Sequence, residues 1–102
     1  MNNGLNERDL LTIHQILKQH NTIVLVKLFG SRAKGNYKTG SDIDLAIMND
    51  DFDENDITAL TRDFEDSNLP YFVDIVIYNQ ITAPKLKEHI DRIGIEFYKK
   101  TQ

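Results

Sequence analysis

Two aspartates separated by one residue, Asp42 and Asp44, follow a Gly30-Ser31 pair at an interval of ten residues. On an extended strand such aspartates leave the same face, roughly 6.5 to 7 Å apart. Carboxylates so placed repel each other. If the end of the sheet is partly desolvated, Mg²⁺, with its preference for oxygen ligands, is the usual counter-ion. Asp-x-Asp alone describes a solvated strand entrance more often than a metal site, and the preceding segment changes that balance. Gly30 lets the backbone approach a ligand, and Ser31 offers a hydroxyl and an N–H. Arg32, Lys34 and Lys38 add three cations with no acid among them. With Ser41, these residues form a candidate nucleotide-binding cradle for a phosphate chain facing a metal site. A Walker A loop is the competing motif. The windows Gly30 to Gly35 and Gly35 to Gly40 are followed by Asn36-Tyr37 and Ser41-Asp42, without the required Lys, and each precedes a strand.

A third carboxylate lies thirty residues beyond Asp44, where Asp74 interrupts the apolar and aromatic stretch Tyr71 to Tyr78. A lone buried carboxylate is costly unless it is paired or metal-bound. A strand, helix, parallel strand unit often joins neighbouring strands about 4.8 Å apart, which brings Asp74 beside Asp42 and Asp44. The plainer alternative is an exposed aspartate on an edge strand.

The elements that must position these groups are legible from periodicity. Asn6 is a candidate N-cap with Asp9 at N3, and Leu10, Ile13 and Leu17, widened by Leu11 and Ile16, form a helical packing stripe that Asn21 closes. Thr22 to Phe29 reads as a central strand covered on both faces. In the second strand Asp42, Asp44, Ala46 and Met48 share one face, and Ile43, Leu45 and Ile47 face the core. Asp53 caps a helix running to about Glu65 with Ile57, Leu60 and Phe64 inward. Pro84 opens a last helix with the stripe Leu86, Ile90 and Ile93, Gly94 ends it, and Ile95 to Tyr98 form a final strand. His14, His20 and His89 read as surface residues.

With 102 residues, the chain is expected to be one domain spanning 1–102. An apolar fraction of 40% and a charged fraction of 27% are those of a folded globular protein. The absence of cysteine excludes disulfides, thiol chemistry and Cys-type zinc sites. A start without a basic, apolar leader and no apolar run near ~18 residues lead to the expectation of a cytoplasmic protein without membrane contact. The formal charge of −4 argues against general nucleic-acid binding. Its distribution is uneven: Lys27 to Lys38 holds four cations and no acid, whereas Asp50 to Asp66 holds eight acids and only Arg62. The basic segment coincides with the Gly-Ser and Asp-x-Asp motif.

The order Gly-Ser, ten residues, Asp-x-Asp resembles the signature of the nucleotidyltransferase superfamily that includes DNA polymerase beta. GSRAKG followed by SDIDL is similar to the minimal nucleotidyltransferases, small proteins commonly encoded beside a helical HEPN partner as antitoxins of toxin-antitoxin pairs. The resemblance implies that Gly30 and Ser31 hold a triphosphate, that Asp42 and Asp44 bind metal, and that Asp74 is the third catalytic carboxylate and metal ligand. It implies two Mg²⁺ ions, ATP as substrate, and transfer of AMP to a hydroxyl of a HEPN ribonuclease toxin in a hetero-oligomer. Lys34 stands where the family usually has Arg, which keeps the charge and loses bidentate phosphate geometry. A non-catalytic antitoxin acting by contact, and a homodimeric nucleotidyltransferase acting on a small molecule, remain alternatives. The expected fold is an α/β (α+β) sandwich of the nucleotidyltransferase type. It has a mixed sheet of roughly three to five strands backed by helices, with the first two strands forming a hairpin around the motif.

Overall fold

The computed structural model describes residues 3–101. Helix α1, Glu7–Gln19, starts where the Asn6 side chain accepts a hydrogen bond from the Asp9 N–H at 2.7 Å. It leads into strand β1, Leu25–Phe29, and a five-residue helix α2, Gly30–Lys34. Strand β2, Ile43–Ile47, is followed by helix α3, Glu54–Glu65, whose start is closed by reciprocal bonds between Asp53 and Asp56. Strand β3, Val73–Ile77, helix α4, Pro84–Ile93, and strand β4, Ile95–Lys99, complete the order.

The four strands form one mixed sheet in the order β3-β2-β1-β4. β1 runs antiparallel to both β2 and β4, and β2 runs parallel to β3. This is the expected hairpin around the motif, with the α3 crossover placing β2 and β3 side by side. β1 and β2 are central, while β3 and β4 are edges.

One face of the sheet carries the main core. Val26, Leu28, Ile43, Leu45, Ile47, Val73 and Ile77 pack with Ile13, Ile16 and Leu17 of α1 and Leu60 and Phe64 of α3. Each such side chain stabilises the fold by roughly 1.5–3 kcal/mol relative to exposure. The opposite face has a smaller cluster in which Ile90 of α4 packs on Phe29 and Ala46. Ala46, expected on the same face as Asp44, is on that face but fully buried. Thus α4 covers Phe29 and Ala46 on the second face, while Asp42 and Asp74 stay exposed.

Several elements differ from the sequence expectation. β1 begins at Leu25 instead of Thr22, and β3 at Val73 instead of Tyr71. Gly30–Lys34, expected as irregular loop, is helical. The histidines expected at the surface carry tertiary contacts. His14 Nε2 lies 2.8 Å from the Phe97 carbonyl with its ring stacked on Phe97, and His20 pairs with Asp63 at 2.6 Å. Among the described residues no helix is long and apolar enough to cross a membrane.

Candidate active site

Backbone pairing sets the site. Phe29 lies opposite Asp44 in the β1–β2 hairpin, and Asp44 lies opposite Asp74 in the parallel β2–β3 ladder. Residues paired in register point to the same side, so Asp44 and Asp74 stand together on neighbouring strands about 4.8 Å apart. Asp42 precedes β2 by one residue. Asp74 is exposed on an edge strand, as the plainer alternative held, and the burial argument for its role fails. What brings it to Asp44 is register.

Gly30 follows Phe29 at the end of β1 with φ +73°, a conformation that side-chain-bearing residues rarely adopt. A Cβ there would overlap the Asp44 carboxylate. The glycine therefore lets the start of α2 lie directly against the central aspartate. Gly30→Ala is expected to destabilise the protein by at least ~1–2 kcal/mol from the dihedral alone, and to push Asp44 out of place. A thermal melt together with nucleotide affinity checks this.

Asp44 is half-buried, and its carboxyl is pushed up from 3.8 to about 6. Burial is the largest cause, followed by repulsion from Asp74 and then Asp42, while the Arg32 guanidinium pulls the other way. The three carboxylates thus share one electrostatic environment. Among the described residues no three Asp, Glu, His or Cys side chains converge closely enough to enclose an ion as they stand. In donor chemistry the set still fits Mg²⁺: all-oxygen ligands, mutual repulsion, and two members, Asp42 and Asp74, exposed at the sheet end.

The candidate cradle divides into two groups. Ser31 is half-buried beside Gly30, and Lys34 and Lys38 are exposed. Lys38 lines a groove of about 370 Å³ with Tyr37, Gly40 and Tyr71, and none of the three aspartates borders it. Arg32 behaves differently from the phosphate contact expected of it. It is 2% exposed, and donates from Nε at 3.1 Å and Nη2 at 2.7 Å to the Ser41 carbonyl and from Nη1 at 3.0 Å to the Asn3 carbonyl. The Tyr71 ring lies 4.6 Å from the guanidinium carbon and the Tyr37 ring 5.5 Å. The fork that could grip a phosphate instead closes the motif loop onto itself and onto the N-terminal segment. Ser41, expected to contact nucleotide, accepts from Arg32 through its carbonyl, and its hydroxyl accepts from the Lys38 N–H at 2.8 Å. It shapes the loop. His89, read as a surface residue, accepts a hydrogen bond from the Gly30 N–H at 3.1 Å and sets its ring edgewise to Phe29. No local signal marks it, because its partner is a backbone group 59 residues away.

A glycine-serine turn leaving one strand, folded against carboxylates on the next two, on the open end of a mixed sheet, is the arrangement of a nucleotidyltransferase. The sequence pattern of the family "Polymerase beta, Nucleotidyltransferase" matches residues 12–102, and the chain belongs to that family. The resemblance carried by GSRAKG and SDIDL is borne out at this level, as is the expected fold. A Haemophilus influenzae relative described as a probable protein adenylyltransferase, MntA, is 32% identical over 101 residues, 94% of this chain and 84% of its own. A chain from the crystal structure of a toxin-antitoxin with AMP-PNP superposes with a TM-score of 0.73 at 25% identity, over 92% of this chain and 76% of that one. A chain from the complex of the tri-AMPylated Shewanella oneidensis HEPN toxin with an MNT antitoxin gives 0.65 at 22% identity, over 89% and 70% respectively, a likeness of fold.

Proposed function

We propose that this nucleotidyltransferase moves AMP from ATP to a hydroxyl of a partner protein in a Mg²⁺-dependent reaction in the cytoplasm, and that the partner is a HEPN-type toxin silenced by the modification. The observation that carries the reading is the in-register Asp44–Asp74 pair with Gly30 packed against Asp44. The relative described as a protein adenylyltransferase, and the toxin-antitoxin chain solved with AMP-PNP, support the nucleotide and the partner class.

In this mechanism Gly30 and Ser31 hold the triphosphate, with Lys34 and Lys38 as flanking cations. Asp42, Asp44 and Asp74 would hold Mg²⁺, which would supply positive charge to offset the charge that develops during an in-line displacement. The acceptor oxygen forms a bond to the α-phosphorus as the bond from that phosphorus to the bridging oxygen of the β-phosphate breaks. Pyrophosphate leaves. In this reading Asp74, exposed on the edge strand, takes the acceptor proton.

Incubation with α-labelled ATP, Mg²⁺ and the co-expressed partner is expected to label the partner, and EDTA or Asp42→Asn to abolish the label. Equal labelling by the Asn variant removes the carboxylate mechanism. Loss of label with undiminished neutralisation of the toxin in cells leaves a transferase whose antitoxin effect is contact alone. Ser31→Ala is expected to weaken ATP binding about tenfold, one lost charge-assisted hydrogen bond, with little change in melting temperature. Calorimetry with and without Mg²⁺ measures it, and equal affinity of both proteins removes Ser31 from the nucleotide contacts.

A further inference from the structure

We infer that His89 is a positioning residue for the nucleotide-binding turn, fixing the peptide between Phe29 and Gly30 in one of its two orientations. The inference rests on the reading that Gly30 and Ser31 hold ATP.

The Gly30 N–H donates to His89 Nε2 at 3.1 Å, so that nitrogen is the acceptor and the neutral ring carries its proton on Nδ1. Glycine adopts positive and negative φ about equally, so the peptide before Gly30 can flip far more easily than one before a residue bearing Cβ. Gly30 φ is +73° here, and the next residue is Ser31. A flip would leave Ser31 nearly in place but turn the Phe29 carbonyl to the side where the Gly30 N–H now points, setting a negative dipole end at the start of the segment that is to hold an anionic triphosphate. The acceptor on His89 selects the unflipped form.

The histidine is itself held. Its ring lies edgewise to Phe29 with centroids 6.1 Å apart, and Ile90, the next residue on α4, is fully buried against Phe29 and Ala46. The last helix therefore reaches back across the sheet to the first residue of the motif. Neither packing contact requires a hydrogen-bond acceptor; only the bond from the Gly30 N–H does. That separates a positioning role from a purely structural one.

The test compares wild type, His89→Phe, which keeps a ring on Phe29 without the acceptor, and His89→Gln, whose amide oxygen reaches about as far as Nε2. The readings are amide hydrogen exchange at Gly30, Kd for ATP with Mg²⁺, and steady-state transfer. In the Phe variant the Gly30 amide should exchange at least tenfold faster. ATP binding should weaken about tenfold and KM for ATP should rise in proportion, with kcat within about twofold of wild type. His89→Gln should restore all three to within about threefold. Wild-type affinity in a Phe variant whose Gly30 amide has become labile overturns the inference, as does a Gln variant that melts like wild type yet fails to restore binding. Failure of wild type itself to bind ATP overturns the reading on which the inference rests, while exchange at Gly30 still reports whether His89 holds the turn.

Discussion

Replacing Asp44 with Asn is expected to lower the proposed AMP transfer by about a thousandfold, equivalent to roughly 4 kcal/mol of transition-state stabilisation, and at the same time to make the metal-free protein more stable. The opposite signs share one cause. Folding half-buries the Asp44 carboxylate beside Asp74 and Asp42, which pushes its carboxyl from 3.8 to about 6. A raised carboxyl means that the folded state binds the proton more tightly than the unfolded chain does. Stability therefore falls as pH rises from about 4 to about 6, and the penalty is fully present above that window. Asn carries no charge and escapes it. With solvent screening of a half-buried group taken into account, a difference of ~1 kcal/mol is expected, or about 5 °C in Tm for a domain of this size. Melts in EDTA should show the variant above wild type near neutral pH and the gap closing as pH falls through 6 and 3.8. A gap independent of pH, or transfer unchanged by the substitution, removes Asp44 from the centre of the site.

Arg32→Ala is expected to produce the largest loss of stability, about 3–5 kcal/mol, or on the order of 20 °C in Tm. Truncation empties a site that is 2% exposed and withdraws three donors from the Ser41 and Asn3 carbonyls. Arg32→Lys keeps the charge but has one ammonium where the guanidinium spans two carbonyls and stacks beside Tyr71, so it should recover less than half of the loss. A residue serving only as a phosphate contact would leave the melt unchanged and weaken ATP binding alone. Thermal melts of the three proteins without nucleotide separate these roles. A wild-type melt for Arg32→Ala would mean that the loop closes without its guanidinium.

The difference between Arg32 and Asp44 shows what a one-dimensional reading can reach. Asp42, Ile43 and Asp44 carry their geometry locally, since alternation along an extended chain places both carboxylates once the strand is known. The helices α1, α3 and α4 likewise announce themselves through apolar stripes and caps. Arg32 sits in an equally conspicuous run of cations, but the direction of its side chain depends on carbonyls at Ser41 and Asn3 that meet only after folding. Its charge was legible and its partners were not. His89 has no local signature at all, because a backbone N–H is supplied by every residue except proline. Helix α2 spans five residues, too few to show a helical period. Asp74 was conspicuous as an acid in an apolar run, yet its setting is an exposed sheet edge, and its link to Asp44 comes from strand pairing.

That link gives the segment joining α3 to β3 a constraint of parity. Side chains alternate along β3, so a register shift by one residue would put Val73 or Ile75 beside Asp44 and drive Asp74 towards the apolar layer beneath the sheet. A shift by two would restore an outward face but bring Phe72 or Val76 to that place. The connecting turn can lengthen or shorten only if the change is absorbed before Val73, where Ile43 N–H is already bonded to the Phe72 carbonyl at 2.9 Å. Changes of length are therefore expected to be better tolerated between Ser67 and Pro70, at the cost of the Leu69 core contact, than from Phe72 onward, where the ladder has begun. Length variation among working descendants of this chain should stop at that boundary.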